Sequence, residues 1–280
     1  MRPLSYILET LIAVIALLLV ALLFLAFLFF ILASAIESGY MIVFNRPIYV
    51  HLYLFPKELP VESHLLLEDS FRFYSNLSER RKKFFRHRVY RFMARYRFVG
   101  MDGLEVTDGM RLKIAATWVM LTFGMRKYLT SVFKTILIFP DIFESRNGNW
   151  HKGEFNPAAK AVVFSWKHFE EGMAISTDNF NLGLHEFAHV LHIDSVGYRR
   201  PGASGVIYSD MFYKIRDYFA DAANRQRLLD AGYLRNYACT NSHEFMAVAL
   251  EYFFETPDEF RQKLPELYTM LRVMINYREK

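Results

Sequence analysis

From Thr10 to Ile36 the chain runs for 27 positions without a charge, and almost every residue is Leu, Ala, Val, Ile or Phe. As a helix this run is about 40 Å long, against about 30 Å of bilayer hydrocarbon, which predicts a transmembrane anchor. Tyr6 and Tyr40 bracket it at interfacial positions. Ala33-Ser34-Ala35 offers a small-residue cleavage pattern, but a signal peptide's apolar core spans only about 7 to 15 residues, so the length favours an uncleaved anchor.

Beyond the anchor the apolar pattern changes period. Ser78-Glu79 opens a helix whose stripe is Phe85, Val89, Phe92, Met93 and Tyr96. A turn at Gly100 to Gly103 precedes an apolar helix over Arg111 to Gly124, and strands are expected at Phe133 to Pro140 and Ala161 to Trp166. The strand at Ala161 to Trp166 is either a sheet edge, where an extended chain can add by main-chain hydrogen bonds, or a buried strand. Dense apolar runs at Leu182 to Leu191 and Phe245 to Phe254 read as buried helices, and Pro257-Asp258-Glu259 starts another. The expected division is an anchor over 1–40, a connector over 41–67 and one compact domain over 68–280.

The net charge of +5 comes from one segment. Arg80 to Arg97 holds nine Lys or Arg and no acid; without them, 25 of the 34 basic residues face 29 acidic ones. The face opposite the apolar stripe carries Arg80, Arg81, Lys83, Arg88, Arg91 and Arg95. It suits either an ordinary solvated helix face or contact with anionic lipid headgroups. Nothing in it reads bases, so no direct nucleic-acid partner is expected. The single cysteine, Cys239, excludes an intramolecular disulfide and is compatible with a reducing compartment.

Candidate chemistry centres on Leu184-His185-Glu186-Phe187-Ala188-His189. On a helix, imidazoles four residues apart are about 40° apart around the axis and about 6 Å along it, so both can reach one tetrahedral zinc ion. Glu186, one residue on, is placed to reach the open position of such a site and to accept a proton from water there. His192 shares the face but lies about 10 Å from His185 along the axis, too far for one ion to hold all three. Glu244, in the first turn of the Phe245-to-Phe254 helix, is the better third ligand, unless Asn241 and Glu244 merely form a capping pair. Glu251, seven residues on, is the runner-up ligand or a partner that orients a histidine.

Taken in order, Ile136 to Phe143, Ala161 to Trp166, Phe180 to His189 and Tyr237 to Phe254 resemble the Mlc titration factor A family of zinc-dependent peptidases of the gluzincin type. The resemblance runs over roughly Leu77 to Leu271 and omits the anchor. It implies an α/β (α+β) zincin-like metallopeptidase domain over 68–280, Zn2+ held by His185, His189 and Glu244, and Glu186 as general base. It also matches Tyr237 to a family tyrosine near the metal, whose hydroxyl could stabilise an oxyanion; by itself Tyr237 reads as a loop aromatic. The family further implies aminopeptidase-like activity on small peptides and binding of the repressor Mlc. Here the motif continues Leu191-His192-Ile193-Asp194, where the family usually has Leu-Asp, and the anchor and basic helix are additions.

Two functions are therefore expected: a membrane-anchored peptidase acting on a peptide or protein substrate, or a non-catalytic protein that sequesters a transcriptional repressor at the membrane. Charges flanking the anchor nearly cancel, Arg2 and the amino group against Glu9 on one side and Arg46 and Lys57 against Glu37 and Glu58 on the other. The family resemblance, the lone Cys239 and the basic face place the catalytic domain on the cytoplasmic side.

Overall fold

A computed structural model describes residues 4–145, 148–197, 202–235 and 241–278. Tyr237 and Cys239 lie outside the described residues. By internal contacts the chain forms two units, Met1–Ile48 and Tyr49–Lys280.

The first unit is helix α1, Leu4–Phe44. It extends the expected apolar run at both ends, and its stretch Tyr6–Phe44 is long and apolar enough to cross a membrane. Its apolar side chains, Leu17 and Phe29 among them, are turned outward.

The second unit is a mixed, helix-rich α/β structure. It begins with an extended strap over residues 49–60, so the stretch expected as a connector, 41–67, is shared between α1, the strap and the next helix. Helices α2 (Val61–Ser70), α3 (Arg72–Ser75) and α4 (Glu79–Arg95) lead to strand β1 (Arg97–Gly100), helix α5 (Asp108–Thr122) and strand β2 (Thr135–Phe139). A small antiparallel pair, β3 (Phe143–Glu144) and β4 (Trp150–His151), precedes β5 (Gly153–Asn156) and β6 (Ala161–Ser165). The remainder is helical: α6 (Trp166–Ala174), α7 (Leu182–Val196), α8 (Gly202–Ala220), α9 (Ala222–Asp230), α10 (Ser242–Glu255), α11 (Pro257–Lys263) and α12 (Pro265–Met274).

The main sheet has the order β1-β2-β6-β5, with β1, β2 and β6 parallel and β5 antiparallel at the edge. All five residues of β6 are buried, as suits an interior strand with an unbroken Ala-Val-Val-Phe-Ser run. The strand expected at Ala161 to Trp166 is thus the buried alternative, and the edge belongs to β5.

Helix α7 lies at the centre. Asn181 caps it by accepting the Leu184 N–H at 3.0 Å. Phe187 is fully buried, edge-on to Trp118 at 5.2 Å and to Phe164 at 5.3 Å. That aromatic contact fixes the rotation of α7, which turns His185, Glu186 and His189 toward β5 and α10.

The apolar stripe of α4 is buried as expected, with Phe85, Val89 and Phe92 fully enclosed. Arg88 departs from the expected outer face and is fully buried. Its Nε donates to Tyr53 Oη at 2.7 Å, and Nη1 donates to the carbonyls of Thr122 at 3.0 Å and Phe123 at 3.2 Å, where α5 ends. Arg80, Lys83, Arg91 and Arg95 remain exposed.

Candidate active site

The capping geometry of α10 places Glu244. Asn241 Oδ1 accepts the backbone N–H groups of His243 at 2.9 Å and Glu244 at 3.0 Å, so the cap is real. The Glu244 side chain turns to α7 instead: Oε2 lies 3.1 Å from His185 Nε2 and Oε1 lies 3.6 Å from His189 Nε2. The two Nε2 atoms are 3.3 Å apart. His185, His189 and Glu244 are thus brought together as a set able to hold a metal ion. A tetrahedral ion with bonds of about 2.0–2.1 Å needs donors about 3.3–3.4 Å apart, so the residues present fit one.

Around this triangle the environment is arranged to orient His185. Its Nδ1 lies 2.7 Å from Glu251 Oε1. A proton on Nδ1 shared with that carboxylate leaves the Nε2 lone pair free to ligate. Glu251 is buried to 1 % exposure and bound from three directions, by His185, by the Asn181 N–H at 2.8 Å and by Arg235, whose Nη2 is 2.5 Å from Oε1. Arg235 Nη1 also donates to the Asn179 carbonyl, and its guanidinium lies 4.5 Å over the Phe180 ring. Asn181 Nδ2 in turn donates to Glu255 Oε1 at 3.1 Å.

Glu186 is buried beside β5. Burial raises its pKa to about 7, with His185 opposing and the Glu244 charge adding to the rise. Burial alone would lower the pKa of His185, but hydrogen bonds to Glu244 and Glu251 outweigh it and raise it to about 9. His189 falls to about 4 through burial and the neighbouring His185. These values reflect the protein's own groups; a dication among the donors favours neutral imidazoles and ionised carboxylates.

His192 stands apart from the donor set, packed against Phe212 at 4.3 Å and His243 at 4.5 Å. Two cavities flank the triangle. One, of about 360 Å³, is bordered by Phe155, His189, His243 and Glu244. The other, of about 340 Å³, is bordered by Phe180, His185, Arg235 and Glu251. Arg235 was not legible in the sequence pattern; the one signal was a carboxylate, Glu251, set within an apolar helix and therefore in need of a cation.

A His-His-Glu set on two packed helices, with a buried carboxylate one residue from the first histidine, is a group that could hold a metal ion, as a metallopeptidase requires. The chain belongs to the glucose-regulated metallo-peptidase M90 family, which it matches over residues 53–276. It is 27% identical over 241 residues to an uncharacterized protein of Synechocystis sp., covering 78% of this chain and 85% of that protein. It is also 24% identical over 188 residues to Mlc titration factor A of Yersinia pestis and of Yersinia pseudotuberculosis, covering 61% of this chain and 68% of each relative. The family implies a metal, and the resemblance to the Mlc titration factor A family stands.

Proposed function

We propose that the protein is a membrane-anchored zinc peptidase of the zincin type, with His185, His189 and Glu244 as ligands and Glu186 as general base. The observation that carries this reading is that His185 Nε2 and His189 Nε2 stand 3.3 Å apart, with the two Glu244 oxygens 3.1 Å and 3.6 Å from them, beside a buried carboxylate. When bound, the ion supplies Lewis-acid polarisation of the scissile carbonyl and lowers the pKa of water. Glu186, buried one residue from the first ligand, accepts the proton from the attacking water and passes it to the leaving amine. Glu251, held by Arg235 and Asn181, keeps His185 in the ligating tautomer. The outer edge of β5 runs past Glu186 and can take an extended peptide by main-chain pairing. Tyr237, outside the described residues, is assigned the oxyanion donor by family resemblance alone.

A second reading has a specific support in the name of the Yersinia relatives, Mlc titration factor A. In this reading the protein binds a transcriptional repressor, with or without proteolysis. Both readings place the second unit on the cytoplasmic face, with α1 in the bilayer and the exposed part of α4 toward anionic headgroups. A phosphatase or fluorescent fusion at Lys280 tests the side, and phosphatase activity there overturns the placement.

The deciding experiment is Glu186→Gln in the full chain. It removes the proton acceptor and no ligand, so the variant keeps one zinc per chain and loses hydrolysis of a peptide library. Unchanged hydrolysis would assign the activity elsewhere. An inactive wild type that binds a repressor no better than the Glu186→Gln variant does would favour the second reading.

A further inference from the structure

The strap over residues 49–60 is amphipathic in the wrong sense for water. His51 and Tyr53 point inward, while Leu52, Leu54 and Phe55 point outward at 70%, 84% and 87% exposure. This is not a loose loop. The His51 ring stacks on Phe84 at 5.0 Å and lies 4.6 Å from Phe123. Tyr53 accepts a hydrogen bond from buried Arg88, and the Lys57 N–H donates to His87 Nδ1 at 2.8 Å. Farther back, Arg126 donates to the Tyr49 carbonyl and lies 3.8 Å over the Tyr49 ring. With its polar side chains locked inward, the strap cannot turn the three apolar ones away from the surface.

Cations rim this patch. Lys57 is exposed on the strap itself, and Lys83 and Arg91 are exposed on α4 on either side of His87. The Lys57 backbone is tied to His87, and Lys83 and Arg91 stand one turn before and one turn after His87 on α4. Glu58, in the vicinity, is paired with Arg86 at 2.9 Å, while Lys83, 3.9 Å from it, stays exposed. An apolar centre with a basic rim is complementary to the boundary between headgroups and acyl chains of an anionic bilayer. In sequence, Leu52 follows the last residue of α1, Phe44, by only eight positions. The same chain therefore carries a membrane-crossing helix and this patch in immediate succession.

We propose that Leu52, Leu54 and Phe55 insert into the interfacial layer of an anionic membrane, with Lys57, Lys83 and Arg91 on the headgroups, so that the second unit has a lipid contact of its own. The proposal rests on the reading of α1 as a bilayer anchor. It adds an apolar lipid contact to the exposed cations of α4, whose own apolar stripe is buried in the core.

The test uses the full chain in nanodiscs of phosphatidylcholine, with or without phosphatidylglycerol, and with brominated lipid as a depth-sensitive quencher. Phe55→Trp, Leu229→Trp on α9 and Leu17→Trp within α1 are compared, each above the common emission of the native tryptophans. The expected result is that the emission added by Trp at 55 is blue-shifted and lost in brominated lipid. The loss is greater in anionic discs and is reduced by Lys83→Gln with Arg91→Gln, while the emission added at 229 stays unquenched. If position 17 is quenched and position 55 is not, the strap contact is overturned while the anchor stands. If neither is quenched, the anchor reading itself has failed and the proposal with it. A blue shift at 55 that requires more than one chain per disc, without bromine quenching, assigns the patch to a second copy and also overturns it.

Discussion

Gly153 on β5 and Glu186 on α7 approach so closely that a Cβ built on Gly153 would stand 2.8 Å from Glu186 Cγ and 2.9 Å from its Oε1. The same Cβ would stand 2.8 Å from Leu182 Cδ1, so the edge strand passes directly over the start of α7 and the proposed base. Gly153→Ala pushes either β5 or the carboxylate aside. Since misplacement by about 1 Å can cost on the order of 100-fold in rate, the variant is expected to lose about 10- to 100-fold in kcat while keeping zinc, as no ligand is touched. Peptide hydrolysis together with metal analysis checks this, and undiminished kcat would remove Glu186 from the chemistry or β5 from its side.

Arg235 acts one step farther out, through Glu251 on His185. Orienting partners of a ligating histidine typically contribute about 10- to 100-fold in metal affinity, so Glu251→Gln and Arg235→Gln are each expected to weaken zinc binding by that order. Glu244→Ala is expected to weaken it far more, because a direct donor is lost. Competition with a chromophoric chelator measures all three. Arg235→Lys, which keeps the charge but not the two-pronged contact, should fall between Arg235→Gln and the wild type.

The elements of this site differ in how far the sequence announced them. His185 and His189 are four residues apart on one helix, so spacing alone put them on one face, with Glu186 a single residue round from the first. Glu244 was reachable because an Asn three residues earlier marks a helix start, although the same pattern fitted a cap and the side chain alone decides between the two. Gly153 and Arg235 were invisible because each acts across about 15 to 35 residues of chain, through contacts that no periodicity encodes. The exposure of Leu52, Leu54 and Phe55 was hidden for a related reason. In an extended strap the direction of each side chain is set by what Tyr53 and His51 find beneath them.

Glu255, one turn beyond Glu251, is buried, and burial raises its pKa from 4.5 to about 7. A carboxyl with a folded pKa above its unfolded value stabilises fully below the unfolded value and loses that contribution as pH rises through the folded one. The window is therefore from about pH 4.5 to about pH 7. Glu255→Gln, which still offers Asn181 an acceptor, is expected to gain melting temperature over the wild type at pH 8 and little at pH 5. For a domain of this size each kcal/mol is worth about 2–4 °C. Equal shifts at both pH values would show that Glu255 titrates as an ordinary carboxylate.

Arg88 gives the clearest stability test, because among the described residues no carboxylate hydrogen-bonds this buried cation. Its guanidinium is held by Tyr53 Oη, the carbonyls of Thr122 and Phe123, and the Val50 carbonyl at 3.4 Å, with the Tyr128 ring 4.4 Å away. Desolvation works against such a group, and replacing buried charges by apolar residues of similar volume is in many proteins neutral or stabilising. Here the outcome is expected to be the reverse. Arg88→Met fills the space but withdraws donors from the last carbonyls of α5 and from the strap at once, and each buried acceptor left short costs about 1–3 kcal/mol. The variant should therefore unfold at lower denaturant concentration, and amide exchange should quicken first in residues 49–57. Arg88→Lys keeps a charge but cannot reach all of these acceptors with one ammonium group, so it should lie between the two. A Met variant as stable as the wild type would mean that desolvation of the guanidinium offsets every bond it makes.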